Sequence, residues 1–128
     1  MSRLSEELRL RTRRYASAVV RLYVNLPTRR REVEVIGHQL LRSGTSVAAH
    51  AREASRARSD SEFCSKLDAL LQEADESQLW LELLRDDCGI EDDTLESVLA
   101  ETNELLAIFT TIVAKVRKKA DERQKDKR

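Results

Sequence analysis

Glycine and proline are almost missing from this chain, and this restricts the available folds more than any other feature. The 128 residues include three Gly and one Pro, far below their usual shares of about 7% and 5%. Strands joined by tight turns need these residues at many positions, whereas helix interiors exclude them. The chain is 41% apolar, which is enough for one hydrophobic core. The composition therefore predicts an all-α fold in a single domain.

Apolar residues recur at spacings of three and four along four segments, as on one face of a helix. The first predicted helix runs from about Leu4 to Val24 and the second from about Arg29 to Ala57. A capping box at residues 59–62 begins the third helix, Gly89 ends it, and a second box at residues 93–96 begins the fourth. Helices of this length joined by short loops run antiparallel to their neighbours. The prediction is an antiparallel up-down-up-down four-helix bundle.

The last segment of the chain differs from the rest. Charged residues dominate residues 118–128, and the apolar stripe of the fourth helix does not continue there. We therefore expect the bundle to span residues 1–117 and residues 118–128 to form a disordered tail.

Neither export nor membrane insertion is indicated by the sequence. The N-terminus lacks an apolar signal region, and no uninterrupted apolar run reaches 18 residues, so we expect a cytoplasmic protein. Cys64 and Cys88 lie near opposite ends of the third predicted helix, roughly 36 Å apart at a rise of about 1.5 Å per residue. A disulfide within the chain is excluded at that separation, so we expect two free thiols.

Charge is sorted into blocks, although basic and acidic residues are equal in number at 23 each. Residues 1–58 hold 13 Arg and 5 acidic residues, residues 59–114 hold 2 basic and 15 acidic, and residues 115–128 hold 8 basic and 3 acidic. Either helices of opposite sign neutralise one another within the fold, or the basic segment presents a face to an anionic partner. The sequence leaves both interpretations open.

An arginine-rich edge is the candidate nucleic-acid site. Its first three members fall within about 20° of one line on the first predicted helix, away from the apolar stripe, and the other three open the second helix. Arginine binds phosphate through its charge and forked hydrogen bonds. Aromatic residues for stacking on bases make up only 4% of the chain, so binding would be directed at the phosphate backbone. The candidate residues are Arg3, Arg14, Arg21, Arg29, Arg30 and Arg31.

The third predicted helix carries more large apolar residues than one core-facing stripe can hold. With Leu81 at the centre of that stripe, Leu79 and Leu83 project at about 160° and 200° and Trp80 at about −100°. Exposed apolar patches of this kind favour a protein interface. Leu79, Trp80 and Leu83 are therefore the predicted oligomer interface.

Motifs for catalysis or metal binding are missing from the sequence. A di-metal site in a bundle needs Glu-x-x-His on two helices, and the chain has no such motif. His38 and His50 lie about 120° apart in projection on one helix, so they do not share a ligand face. No glycine-rich phosphate loop or exposed serine turn is present. We expect no enzyme activity, no metal and no cofactor.

Four carboxylates of the third helix scatter around its circumference instead of converging. They are residues 73, 75, 76 and 82, and we expect them to pair with arginines of the first two helices. The specific expectation is that Arg52 pairs with Glu73 or Glu76. A polar layer of Ser43, Ser46 and His50 is expected close to Glu73 and residue 77.

Two segments resemble one bacterial family. They are residues 36–57, IGHQLLRSGTSVAAHAREASRA, and residues 73–84, EADESQLWLELL. They resemble the four-helix-bundle proteins encoded in intervening sequences of large-subunit ribosomal RNA genes, once labelled S23 ribosomal proteins. The likeness covers residues 8–116. His50 stands where the family often has Asn.

A related branch of that family is the accessory protein of diversity-generating retroelements. It is a pentameric barrel whose basic surface binds nucleic acid and a reverse transcriptase, whereas the net charge of this chain is zero. The resemblance implies a bacterial homo-oligomer, most simply a pentamer, with a reverse transcriptase or another protein as partner. The leading hypothesis is a non-enzymatic scaffold or accessory factor that binds RNA or DNA. The alternative is an oligomeric protein-protein adapter without nucleic-acid binding.

Overall fold

The computed structural model describes residues 2–127, and within this range the chain forms four α-helices and no strand. They are α1 (Glu6–Val24), α2 (Arg31–Ser55), α3 (Asp60–Asp86) and α4 (Asp93–Asp126). Each helix packs against the next, and α1 closes the ring against α4 through the loosest of the four seams. The predicted all-α four-helix bundle is confirmed.

Local capping follows the sequence signals at α3. The hydroxyl of Ser59 accepts a hydrogen bond from the Glu62 amide at 3.0 Å, and the Glu62 carboxylate accepts one from the Arg58 amide at 3.1 Å. Gly89 has φ 69°, the left-handed conformation that glycine adopts most easily. Both ends of α3 therefore lie where the sequence placed them.

The bounds of α4 differ from the prediction at both ends. Asp92, not Asp93, is the N-cap, because its carboxylate accepts from the Thr94 amide at 2.7 Å. At the other end α4 continues through Asp126, so residues 118–126 are helical where the charge pattern predicted disorder. Arg128 lies outside the described residues.

The core is formed by apolar residues that recur at spacings of three and four along the four helices. Leucines and valines from all four helices, together with Phe109, are fully or almost fully buried. The thiols of Cys64 and Cys88 are also buried and free, as predicted. In order along the chain, the largest buried side chains are Val19, Leu22, Val33, Leu40, Val47, Leu67, Leu70, Leu81, Leu84, Leu95, Leu105 and Phe109.

Buried hydroxyls from all four helices cross this core. The Tyr15 hydroxyl lies 2.7 Å from Thr102 Oγ1, which donates to a carbonyl one turn earlier on α4. Ser43 Oγ lies 2.7 Å from Ser77 Oγ, which donates to a carbonyl one turn earlier on α3. Each hydroxyl therefore has a partner, as buried polar groups require.

Among the described residues, α4 alone is long and apolar enough, by length and composition, to cross a membrane. Its most apolar 18-residue window has a mean hydropathy of 1.3, and 33% of that window is buried in the bundle. The core helix of a bundle passes the same test, so this feature is weak evidence for a membrane.

Candidate interaction surfaces

The structure does not bring the six candidate arginines together. Arg3 precedes α1 and lies against the α2–α3 loop, where its amide donates to the Ser55 carbonyl at 3.0 Å and its Nε to the Ala57 carbonyl at 2.9 Å. Residues 29–31 lie beyond the opposite end of α1, a helix of 19 residues and therefore about 28 Å long. The single predicted edge is divided because Arg3 is not part of the helix.

Two of the six arginines are engaged within the bundle. Arg3 forms an ion pair with Asp60 at 2.7 Å. Arg30 forms an ion pair with Glu32 at 2.8 Å and donates to the Cys88 carbonyl at 2.8 Å. The other four are exposed and form no ion pair with any residue from 2 to 127; they are Arg14, Arg21, Arg29 and Arg31.

A cleft of about 330 Å³ opens between α1 and α4 beside Arg14. Arg11 spans the same seam and binds the Glu101 carboxylate through two nitrogens at 2.8 and 2.7 Å, and it also contacts Glu104. This pairing holds the pKa of Glu101 below its usual value, while burial raises the pKa of Tyr15 at the cleft floor. The cleft is therefore mixed in charge and is not a cationic phosphate site.

Two of the four α3 carboxylates, Glu73 and Glu76, pair with α2, but with a different arginine from the predicted one, and Asp75 and Glu82 form no ion pair with a described residue. Arg42 contacts Glu73 at 3.2 Å and Glu76 at 3.0 Å. Arg52 lies ten residues further along α2, which is about 15 Å away. The expected pairing of Arg52 was wrong because the sequence does not give the register between the two antiparallel helices.

The predicted polar layer is also smaller than expected. Ser43 belongs to it, but Ser46 donates to a backbone carbonyl of its own helix at 2.8 Å. His50 Nδ1 lies 3.2 Å from Glu53, which also pairs with Lys66 at 2.8 Å. Lys66 is the main cause that lowers the pKa of Glu53.

The three predicted interface residues of α3 differ in exposure. Leu79 is 49% exposed, Leu83 is half-buried, and Trp80 is half-buried against the core. The indole nitrogen of Trp80 is buried and has no acceptor among the described residues. Leu79 and Leu83 are thus the outward members of the set.

A second apolar stripe, on the outer face of α1, was missed by the sequence reasoning. Leu10, Val20 and Val24 are 45%, 41% and 69% exposed. The positions 10, 13, 17, 20 and 24 alternate spacings of three and four, but Arg13 and Ser17 interrupt the apolar pattern. Since the backbones of α1 and α3 do not approach each other and each helix packs against α2 and α4, they are diagonal, and their outer faces point in opposite directions.

Within residues 2–127 no group of three His, Cys, Asp or Glu side chains is arranged to hold a metal ion. The described surface is mostly charged and polar, with apolar side chains exposed on the outer faces of α1 and α3. These features define a class of protein: a four-helix bundle with two oppositely placed apolar faces and segregated charge.

A sequence model of the 23S rRNA-intervening sequence protein family matches residues 7–111, and the chain belongs to this family. It is similar to a protein of unknown function from the S23 ribosomal protein family of Bacteroides thetaiotaomicron VPI-5482, whose crystal structure superposes with a TM-score of 0.74 at 34% identity. That match covers 82% of this chain and 96% of the other. None of the curated proteins compared matches the chain. The family resemblance drawn from two segments is confirmed, and the link to the retroelement accessory protein stays a prediction.

Proposed function

We propose that this protein is a non-enzymatic, self-associating bundle that binds nucleic acid through exposed arginines of α1 and the α1–α2 loop. The observation that carries the proposal is the exposure of Arg14, Arg21, Arg29 and Arg31 without an ion pair in the described part of the chain. Other arginines of this chain, whose positive and negative charges are equal in number, do form ion pairs with carboxylates, as Arg11 does. The family is named for intervening sequences of 23S rRNA, which makes RNA the first ligand to test.

The ligand contact is expected to be with phosphates. Tyr15, Phe63 and Phe109 are buried, and Tyr23 is partly buried with its ring edge-on to His38. Trp80, the fifth aromatic residue, is half-buried on α3, so residues 2–127 offer no row of exposed rings on which successive bases could stack. Affinity then depends on phosphate charge and falls steeply with salt.

The test is a salt titration of RNA binding. The probe is a fluorescent 20-nucleotide single-stranded RNA and its duplex, titrated between about 50 and 200 mM salt. The variant carries Arg14→Gln, Arg21→Gln and Arg31→Gln. Each lost phosphate contact reduces the slope of log affinity against log salt by about 0.7 to 0.9, so we expect a reduction of about 2 to 3.

A matched control removes the same charge from paired positions, through Arg42→Gln, Arg85→Gln and Arg117→Gln. These residues contact carboxylates in the structure, and the control is expected to keep the wild-type slope. If wild-type protein binds neither RNA at about 50 mM salt, where phosphate contacts are strong, the nucleic-acid part of the proposal is overturned.

Self-association is supported by the two outer faces. On α1 the exposed apolar residues are flanked by Arg9 and Arg13, and on α3 Leu79 and Leu83 are flanked by Asp75 and Glu82. The faces are complementary in charge and point in opposite directions, so a contact between α1 of one copy and α3 of the next is heterologous. Repeated heterologous contacts close into a ring when the rotation permits. The family resemblance makes a pentamer the expected size.

Light scattering tests this arrangement. Wild-type protein at micromolar concentration is expected to have a mass of several times 14.7 kDa, and Leu79→Glu with Leu83→Glu should reduce it to the monomer. The control places the same charges on the exposed face of α4, through Thr110→Glu and Ala114→Glu. A monomeric wild type, or an unchanged assembly in the α3 variant, would contradict the arrangement.

The same complementarity of faces supports a second candidate function, an oligomeric adapter for a protein partner without nucleic-acid binding. A reverse transcriptase is the partner that the family resemblance suggests. A multimer that fails the RNA titration would favour this adapter.

A further inference from the structure

Three separate parts of the chain meet around Asp60 at one end of the bundle. Its carboxylate accepts hydrogen bonds from Arg3 at 2.7 Å and from Arg123. The guanidinium of Arg3 also lies 5.9 Å from the centre of the Phe63 ring. These contacts hold the segment before α1, the α2–α3 loop and the last turns of α4 against one another.

Cationic side chains outnumber carboxylates at this end, which we refer to as the basic end. Arg56 and Arg58 of the α2–α3 loop are exposed and form no ion pair with a residue that the structure describes. On α4, Lys119 and residue 127 lie one turn before and after Arg123, on the same side of the helix. The segments that meet here, residues 2–9, 52–62 and 117–127, hold 11 Lys and Arg and 8 Asp and Glu. The cations nearest Asp60 and along this side of α4 are Arg3, Arg56, Arg58, Lys119, Arg123 and Lys127.

The opposite end of the bundle is acidic. Arg30 donates to the Cys88 carbonyl at 2.8 Å, which places residues 29–31 beside the α3–α4 loop. That loop and its flanking turns carry one arginine, Arg85, which contacts Asp86 at 2.7 Å and Glu96 at 3.8 Å. The acidic residues there are Asp86, Asp87, Glu91, Asp92, Asp93 and Glu96. Their field weakens the attraction of Arg29 and Arg31 for phosphate, so these two residues bind it less strongly than exposed cations far from the acidic loop do.

The two ends act independently on an approaching anion. They are separated by the length of α3, which has 27 residues and is therefore about 40 Å long. Charge is screened over about 8 Å in physiological salt. The acidic loop therefore does not weaken the attraction of the basic end for phosphate.

We infer that the basic end is a phosphate-binding surface for a nucleic-acid backbone, separate from the arginines of α1 and the α1–α2 loop. Exposed guanidinium groups form paired hydrogen bonds with phosphate oxygens, and the lysines add charge on the same side of α4. The inference rests on the proposed function only for the class of ligand. The strongest phosphate contacts then come from residues that are distant in the sequence and adjacent in the folded chain.

The experiment compares two variants that each remove three positive charges. The end variant carries Arg56→Gln, Arg58→Gln and Lys119→Gln, and the α1 variant carries Arg14→Gln, Arg21→Gln and Arg31→Gln. None of these residues forms an ion pair within residues 2–127, so both variants are expected to fold. With the same labelled 20-nucleotide RNAs, both variants should lose about 2 to 3 units of salt slope, and the end variant should lose more affinity at about 50 mM salt than the α1 variant.

A charge-conserving variant separates charge from structure. Arg56→Lys, Arg58→Lys and Lys119→Arg should keep the wild-type salt slope, and loss of that slope would overturn the inference. An end variant that binds like the wild type, while the α1 variant loses affinity, overturns the inference and leaves the proposed function standing. Wild-type protein that binds no RNA overturns both. An end variant that changes the mass in light scattering but keeps its RNA affinity would make the basic end a contact between copies instead.

Discussion

At the residue scale, Gly44 of α2 packs closely against Val19 of α1. A Cβ atom there would lie 2.8 Å from both Cγ atoms of Val19 and 3.2 Å from its Cβ. Valine in a helix has one strongly preferred rotamer, so Val19 has little freedom to turn away. Glycine inside a helix costs about 0.5 to 1 kcal/mol relative to alanine. The packing of α1 against α2 requires glycine in spite of that cost.

We predict that Gly44→Ala destabilises the protein by about 1 to 2 kcal/mol, because overpacking costs about 1 to 3 kcal/mol and the gain in helix propensity is smaller. Gly37→Ala is the matched control, since its Cβ would lie 2.8 Å from the end of the flexible Leu26 side chain and otherwise in ordinary contact with the Tyr23 ring, at 3.4 Å. Urea unfolding measures both. A Gly44→Ala protein as stable as the wild type, or the same loss when Val19 is first replaced by Ala, would contradict this account.

At the scale of the element, α4 supplies the most regular part of the core. Leu105 and Phe109 are fully buried on its inward face. We predict that Leu105→Ala or Phe109→Ala reduces the free energy of unfolding by about 2 to 5 kcal/mol. Thr110→Ala, on the exposed face, should change it by less than about 0.5 kcal/mol. Chemical denaturation that finds losses below about 0.5 kcal/mol for both core variants would mean that this face is not packed.

The elements themselves could be predicted from the sequence because apolar spacing and caps are local signals. Four helices and the caps at Ser59 and Gly89 follow from residues within one or two turns of each other. The extension of α4 could not be predicted in this way. It depends on distant partners, since Arg117 contacts Asp68 at 2.5 Å and Arg123 reaches the start of α3.

The candidate surfaces were less predictable for the same physical reason. The predicted line of arginines on the first helix does not include Arg3, because the chain is not helical at that residue. The basic end joins segments that lie about fifty residues or more apart, such as Arg3, Arg56 and Arg123. The only available signals were the basic block at residues 115–128 and the arginines that precede Ser59, and neither indicates that the two meet.

At the scale of the whole molecule, the segregated charges are in part neutralised within the fold and in part left on the surface, so both interpretations that the sequence left open apply. Arg11 and Arg42 neutralise carboxylates of α4 and α3 across helix seams, so part of the charge is satisfied within the fold. The remainder is unevenly placed and leaves one basic and one acidic end. A net charge of zero therefore describes the sum over the molecule and not the field that a partner meets.

The reactivity of the two buried thiols measures local opening separately at each end of the bundle. Cys64 lies near the start of α3 and Cys88 just after its end, each 5% exposed, and burial raises the pKa of Cys64. Because the thiolate is the reactive form, an alkylating reagent should modify each cysteine only when local opening exposes it. In Cys64→Ser and Cys88→Ser proteins, we predict that the remaining thiol reacts at least about 100-fold more slowly than in urea-unfolded chains. A native rate equal to the unfolded rate would show that the end concerned is already open, and labelling with RNA present would reveal which end the ligand closes.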